Sequence, residues 1–516
     1  MAHASPALGS SEPSPPIPES LRLRELSLDE FRRLEESQSP LYNRDLAPVP
    51  LSERTWTTYN FAALWISMAH CIPTYMLASG LIGAGMTWWQ ALLTILLGNT
   101  IVLLPILLNS HPGTAYGIPF PVLLRASFGT VGANLPAIMR ALVACGWFGI
   151  NAWIGGAVLH TFFTACYSGW PTLLGATAID GYLPSQWLSF LLFWLLNLYV
   201  IYRGMDLVRR VENFAAPFVL VMAAVLLIWA VNKANGFGPI FQDRSDAGGT
   251  AHLSSRQFWA FFPVALTGMI GFWATLSLNM PDFTRYAQNQ RAQMIGQSVA
   301  LPTTMFGFSA MAVVITSATQ VIFGRAIWQP EVLIGELKHP LWVGLSALTL
   351  VIATLAVNIA ANVVSPANDF ANAWPRVISF RRGAFITGLL GILCMPWKLI
   401  EDPRKYLEGW LVPYSGGLGS IGAVMIVDYW LIRKRKLSLL DLYLPDGSYR
   451  YQAGWNWKAV VATLAGCFLA WGGLVIPTLR PLFDYAWFVG FMVSGAVYFA
   501  LMQGEREPSA LRPQAA

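Results

Sequence analysis

From Thr57 almost to the C-terminus, apolar runs of bilayer-spanning length alternate with short polar connections. A hydrocarbon core takes roughly 20 helical residues to cross. On that scale the pattern predicts twelve spans, at about 57–81, 88–108, 137–163, 187–202, 214–231, 258–280, 300–323, 341–364, 383–397, 407–431, 457–476 and 485–501. The expected fold class is therefore all-α and integral to a membrane. Residues 1–50 carry Pro and Ser clusters and a charged stretch from Leu23 to Glu36 but no apolar signal-peptide core, and are expected to be a mobile cytoplasmic tail.

Polar and helix-breaking residues inside the spans carry the functional information, because lipid cannot satisfy a freed backbone group and such breaks persist only where they line a cavity. The first span reads Ser67-Met68-Ala69-His70-Cys71-Ile72-Pro73 and the sixth Gly268-Met269-Ile270-Gly271-Phe272-Trp273. On its own, Pro73 would be read as a harmless kink. Matched to the glycine-rich segment five helices later, it points to two inverted repeats, about 57–231 and 258–431, each opened by a discontinuous helix. The expected organisation is then a transport core over 51–435, two additional spans over 436–502 and a cytoplasmic tail at 503–516.

The third span of each repeat adds amides at helical spacing. Trp147 and Asn151 are four residues apart, as are Asn358 and Asn362, so each pair shares a helix face. A lone intramembrane Asn as often bridges two helices as it binds anything. Indole plus amide on one face is more specific, because a planar heterocycle needs a flat apolar partner for its ring and hydrogen-bonding groups at its edge. The match of Gly417–Gly422 to a dinucleotide fingerprint lies inside a span, where close helix packing explains it better. Trp88, Trp89 and Trp187 fall near span ends and read as interfacial anchors.

Composition agrees with the bilayer: 55% of the 516 residues are hydrophobic, 12% are charged and the mean hydropathy is +0.50. The formal charge of +6 does not imply nucleic acid, since the basic residues sit between apolar runs. They occupy alternate connections, with Arg203, Arg209 and Arg210 after the fourth span, Arg285 and Arg291 after the sixth, Arg376, Arg381 and Arg382 after the eighth and Arg433–Lys436 after the tenth. The connection Tyr167–Pro184 has no Lys or Arg. The positive-inside bias then places these loops and both termini in the cytoplasm of a multi-pass cell-membrane protein. Five cysteines without a CxxC pair imply neither disulfides nor a metal, and no cofactor is expected. No HExxH, G-x-S-x-G or paired carboxylate motif supports an enzyme. A single chain in the bilayer is the expected working unit.

Asn43–Pro48, Trp147–Asn151, Asn279–Arg285 and Asn358–Pro366 occur in the order and chemistry of the nucleobase-cation-symport-1 family, which this chain resembles from about Tyr42 to Tyr443. The resemblance implies a LeuT-type core of five plus five helices in inverted repeat, two added C-terminal helices and alternating access around a midplane site. It implies import of a nucleobase, allantoin or hydantoin, with Trp147 and Trp273 on the ring faces and Asn151 and Asn362 at the edge. A thiamine or pyridoxine carrier of the same fold is the rival reading.

The chain departs from its relatives at Asn151, where a longer Gln is common, and at Phe272, where the hydantoin-type relative has Gly. At the positions matching that relative's sodium ligands stand Ser67 and His70 in the first span and Ala353, Ala356 and Val357 in the eighth. The hydroxyls of the last two positions are missing, which predicts coupling to protons, or to no ion, rather than to sodium. His70, at the helix break, is the expected proton acceptor, its plain alternative being a neutral ring bonded to a freed carbonyl. Asp282 is expected at a cytoplasmic helix end, in a solvated ion pair with Arg285.

Overall fold

Backbone that lies in hydrocarbon must bond to itself, and helices do this within one segment. The computed structural model describes residues 23–203, 220–242, 252–337 and 339–503, and apart from loops and three isolated bridges these are helical. Seven helices are long and apolar enough to cross a bilayer as they stand: Trp88–Tyr116, Asn134–Cys166, Pro184–Arg203, Gln290–Phe323, Pro340–Ala373, Lys405–Ile432 and Trp457–Val475. Two spans are bent pairs, Thr58–Ala69 with Ile72–Gly83 at 57° and Pro477–Asp484 with Ala486–Met502 at 86°. Leu220–Lys233, Ser255–Phe272 with Ala274–Asn279, and Phe380–Leu393 complete the set expected from the hydropathy pattern. The first third of the expected fifth span, residues 214–219, and Arg209 and Arg210 lie outside the described residues.

The first span breaks where the sequence places its polar run. Helix ends at Ala69, His70 and Cys71 leave helical geometry, and Pro73 sits in the first turn of the next segment, where a missing N–H costs nothing. Ile66 O keeps its helical bond from His70 N at 3.3 Å and is also within 2.5 Å of His70 Nδ1. In the sixth span the break falls at Trp273 (φ −102°, ψ 6°), and again at Met280 before Pro281.

Gly268 and Gly271 lie within the intact helix preceding Trp273. Their smallness serves packing: a Cβ on Gly271 would stand 2.9 Å from Leu411 O, and one on Gly268 2.9 Å from Leu407 Cδ2, both on the tenth span. Gly417 and Gly419 similarly admit Trp471 and Trp487 of the last two spans. The eighth span is interrupted at Val363, and the tenth opens and closes in π-helix, at Lys405–Leu411 and Val427–Ile432.

Three expectations change. The segment 24–54 packs on the core: Leu34 and Leu46 are fully buried, Arg24 N donates to Ala115 O at 2.7 Å and Tyr443 OH to Leu46 O at 2.8 Å. Asp282 is buried, at 3% exposure, and its Oδ1 accepts Phe120 N at 3.0 Å. Arg285 turns away to Asp45 O at 3.3 Å and covers the Tyr286 ring. The buried ion pair of this region is Arg140–Asp369, 3.6 Å apart between the third and eighth spans. Trp88 and Trp89 are exposed at a span end as anchors should be, whereas Trp187 joins a cluster with Trp153, Tyr182 and Trp397.

Candidate functional site

Both helix breaks open onto one cavity of about 400 Å³, completed by the third and eighth spans. The first span supplies Met68, Cys71 and Pro73, the third Trp147 and Asn151, the sixth Phe272, Trp273, Thr275 and Leu276, and the eighth Val357, Ala361 and Asn362. The breaks free polar backbone groups at mid-span, which an unbroken helix with its backbone bonded internally could not do.

The aromatic walls are fixed by hydrogen bonds. Trp147 Nε1 donates to Tyr414 OH at 3.2 Å, and that hydroxyl donates to Gly271 O at 2.8 Å, near the end of the first sixth-span segment. Trp273 Nε1 donates to Asn99 Oδ1 at 2.9 Å, and Trp65 packs edge-on against its ring at 5.0 Å. Phe272 stands edge-on to both indoles, 5.3 Å from Trp147 and 4.8 Å from Trp273. Its ring shares the gap that Gly would leave open, so the cavity is narrower than one built on Gly.

The amides are equally constrained. Asn151 Nδ2 donates to Trp147 O at 3.0 Å, one turn back, and its Oδ1 is buried without a partner. Asn362 Nδ2 donates to Asn358 Oδ1 at 3.1 Å. Asn358 itself does not line the cavity. It is fully buried and bonds Asn197 Oδ1 at 3.0 Å and Phe148 O at 3.3 Å, tying the eighth span to the fourth and third. Its place is behind the site.

The residues aligned with the sodium ligands divide. Val357 lines this cavity, and Ala356 is buried in neither lining. Ser67 is half-buried and also outside both linings. His70 and Ala353 face a second, mainly apolar cavity of about 690 Å³ between the first, fifth, seventh and eighth spans. Because a carbonyl only accepts, the His70 bond to Ile66 O puts a proton on Nδ1, and the ring rests against Phe308 at 4.9 Å.

Three participants escaped the sequence reading: Tyr414, Asn99 and Asn197. Both asparagines are amides inside apolar spans; Asn99 has no aromatic partner at helical spacing, whereas Asn197 follows Phe193 and Trp194 by four and three residues, the same signal as Trp147 with Asn151, in a span without a helix break. Nothing in the local sequence marks Tyr414.

A family described as permeases for cytosine/purines, uracil, thiamine and allantoin matches residues 48–490. An allantoin permease of Bacillus subtilis is 42% identical over 91% of this chain and 96% of its own length. A purine-uracil permease of Arabidopsis thaliana is 41% identical over 90% of this chain and 78% of its own. Among solved structures, Mhp1 in a closed conformation with bromovinylhydantoin bound superposes with a TM-score of 0.72, at 24% identity over 90% of this chain and 95% of that one. The shared fold is the five-plus-five inverted-repeat core with two C-terminal spans. Relatives of this kind move solutes and catalyse no covalent chemistry, so this multi-pass protein is a transporter and not an enzyme. The chain belongs to the nucleobase-cation-symport-1 family of membrane permeases.

Proposed function

We propose that the protein imports a small planar nitrogen heterocycle of the nucleobase, allantoin or hydantoin type, by alternating access around the cavity at the two helix breaks. The observation that carries this reading is the convergence of two indoles and two amides, Trp147, Trp273, Asn151 and Asn362, on that one cavity. Ring stacking on an aromatic contributes roughly 1–3 kcal/mol, and buried amides read an edge. The names of the relatives support the same class. The basic cytoplasmic connections fit a cell membrane with both termini inside.

Protons are the coupling ion in this reading. A sodium site replaces the ion's hydration shell with several oxygens, and the aliphatic Ala356 and Val357 supply none from their side chains. Cells producing the protein should take up labelled uracil or allantoin saturably, and unlabelled uracil, allantoin and hydantoin should compete. Competition by thiamine or pyridoxine, with none by these compounds, would overturn the assignment in favour of a vitamin carrier.

A further inference from the structure

We propose that both cavity amides are locked with their oxygens toward the substrate, that Asn197 of the fourth span sets this polarity at Asn362, and that the site selects cyclic ureides and imides through two ring N–H donors. The inference rests on the heterocycle reading above and narrows it.

A carbonyl oxygen only accepts, so an amide nitrogen held against one cannot be turned round without setting oxygen against oxygen. Asn197 Nδ2 lies 2.8 Å from Phe193 O, which leaves Asn197 Oδ1 to accept from Asn358 Nδ2 at 3.0 Å. Asn358 Nδ2 is also 3.3 Å from Phe148 O, so two acceptors hold it in one orientation. Asn358 Oδ1 then accepts from Asn362 Nδ2 at 3.1 Å, and Asn362 Oδ1 is the atom left for the cavity. Asn197 and Asn358 are both fully buried, so water does not loosen the chain. Asn151 reaches the same polarity independently, with Nδ2 on Trp147 O and Oδ1 buried and unpartnered. A buried acceptor without a donor is costly, and a substrate N–H removes that cost. A methyl group on the nitrogen cannot, so the site rejects it.

The test is competition against labelled uracil uptake by methyluracils of equal mass. 5-Methyluracil keeps both ring N–H groups, whereas 1-methyluracil and 3-methyluracil each lose one, which separates hydrogen bonding from bulk. Wild-type protein should bind each N-methyl isomer at least about tenfold more weakly than the C-methyl isomer. In Asn197→Leu the preference should shrink to within about threefold for the isomer whose lost N–H faces Asn362 and persist for the one that faces Asn151, while Asn197→Asp, whose protonated carboxyl can donate to Phe193 O and keep an oxygen for Asn358, should retain both. Equal competition by all isomers in the wild type would overturn the acceptor edge without touching the heterocycle reading. A preference unchanged for both isomers in Asn197→Leu, or lost for either in Asn197→Asp, would overturn the role of Asn197. Uptake of no heterocycle at all would remove the underlying reading instead, and this proposal with it.

Discussion

At the scale of the residue, the site depends on where a few amides and rings stand, and Asn151 is the most informative of them. Asn151 lines the cavity and its Oδ1 is buried without a partner, so a longer side chain changes both the reach of the amide and the shape of that wall. Asn151→Gln should reorder the inhibition constants of competing heterocycles while the amount of protein in the membrane stays the same. An unchanged ranking would show that this side chain does not read the substrate. The spacing of Trp147 with Asn151 made this face legible in the sequence. The polarity of Asn362 was not, because it is set through Asn358 by Asn197 on another span. Asn358 shows the same limit from the other side. Its spacing to Asn362 is that of a shared face, yet its side chain spends its bonds on Asn197 and Phe148.

At the scale of the element, the two interrupted spans were legible because Pro73 and the Gly268–Gly271 pair are poor residues for a continuous buried helix. Their physical roles differ. Pro73 starts a helix, while the glycines let the sixth span press against the tenth. Gly271→Ala should therefore act through packing: its Cβ would meet Leu411 O at 2.9 Å and Ser415 Cβ at 3.1 Å. The expected cost is about 1–3 kcal/mol, seen as a lower melting temperature of the purified protein in detergent. Uptake should fall too, since Gly271 O receives the Tyr414 hydroxyl that orients Trp147. Undiminished stability and uptake would mean that the two spans separate without consequence. Asp282 was misread at this scale. Its position near a helix end suggested solvent, but the start of the Phe120–Phe128 helix closes over it and supplies Phe120 N as its donor.

At the scale of the whole molecule, hydropathy gave the spans and their order, since each helix must be apolar over its own length whatever it packs against. It could not show that residues 24–54 lie against the ends of the spans and the loops between them, because that contact is made by scattered residues such as Leu34, Leu46 and Arg24. Coupling also belongs to this scale. In proteoliposomes with sodium and proton gradients imposed separately, uptake should rise when the outside is made acidic and should not respond to sodium at fixed pH. Stimulation by sodium with no response to a proton gradient would contradict the proton reading. It would direct attention to Thr354, whose buried hydroxyl has no partner one residue beyond Ala353.

The central claim, that the cavity at the two helix breaks is where a heterocycle is carried, is tested most directly by one comparison. Initial rates of labelled uracil and allantoin uptake are measured in proteoliposomes holding equal amounts of wild-type protein and Asn362→Ala. Removing an edge amide that is 8% exposed and lines the cavity should lower the rate of the carried compound by about tenfold or more. Wild-type rates in the variant, at matched protein content, would contradict the account.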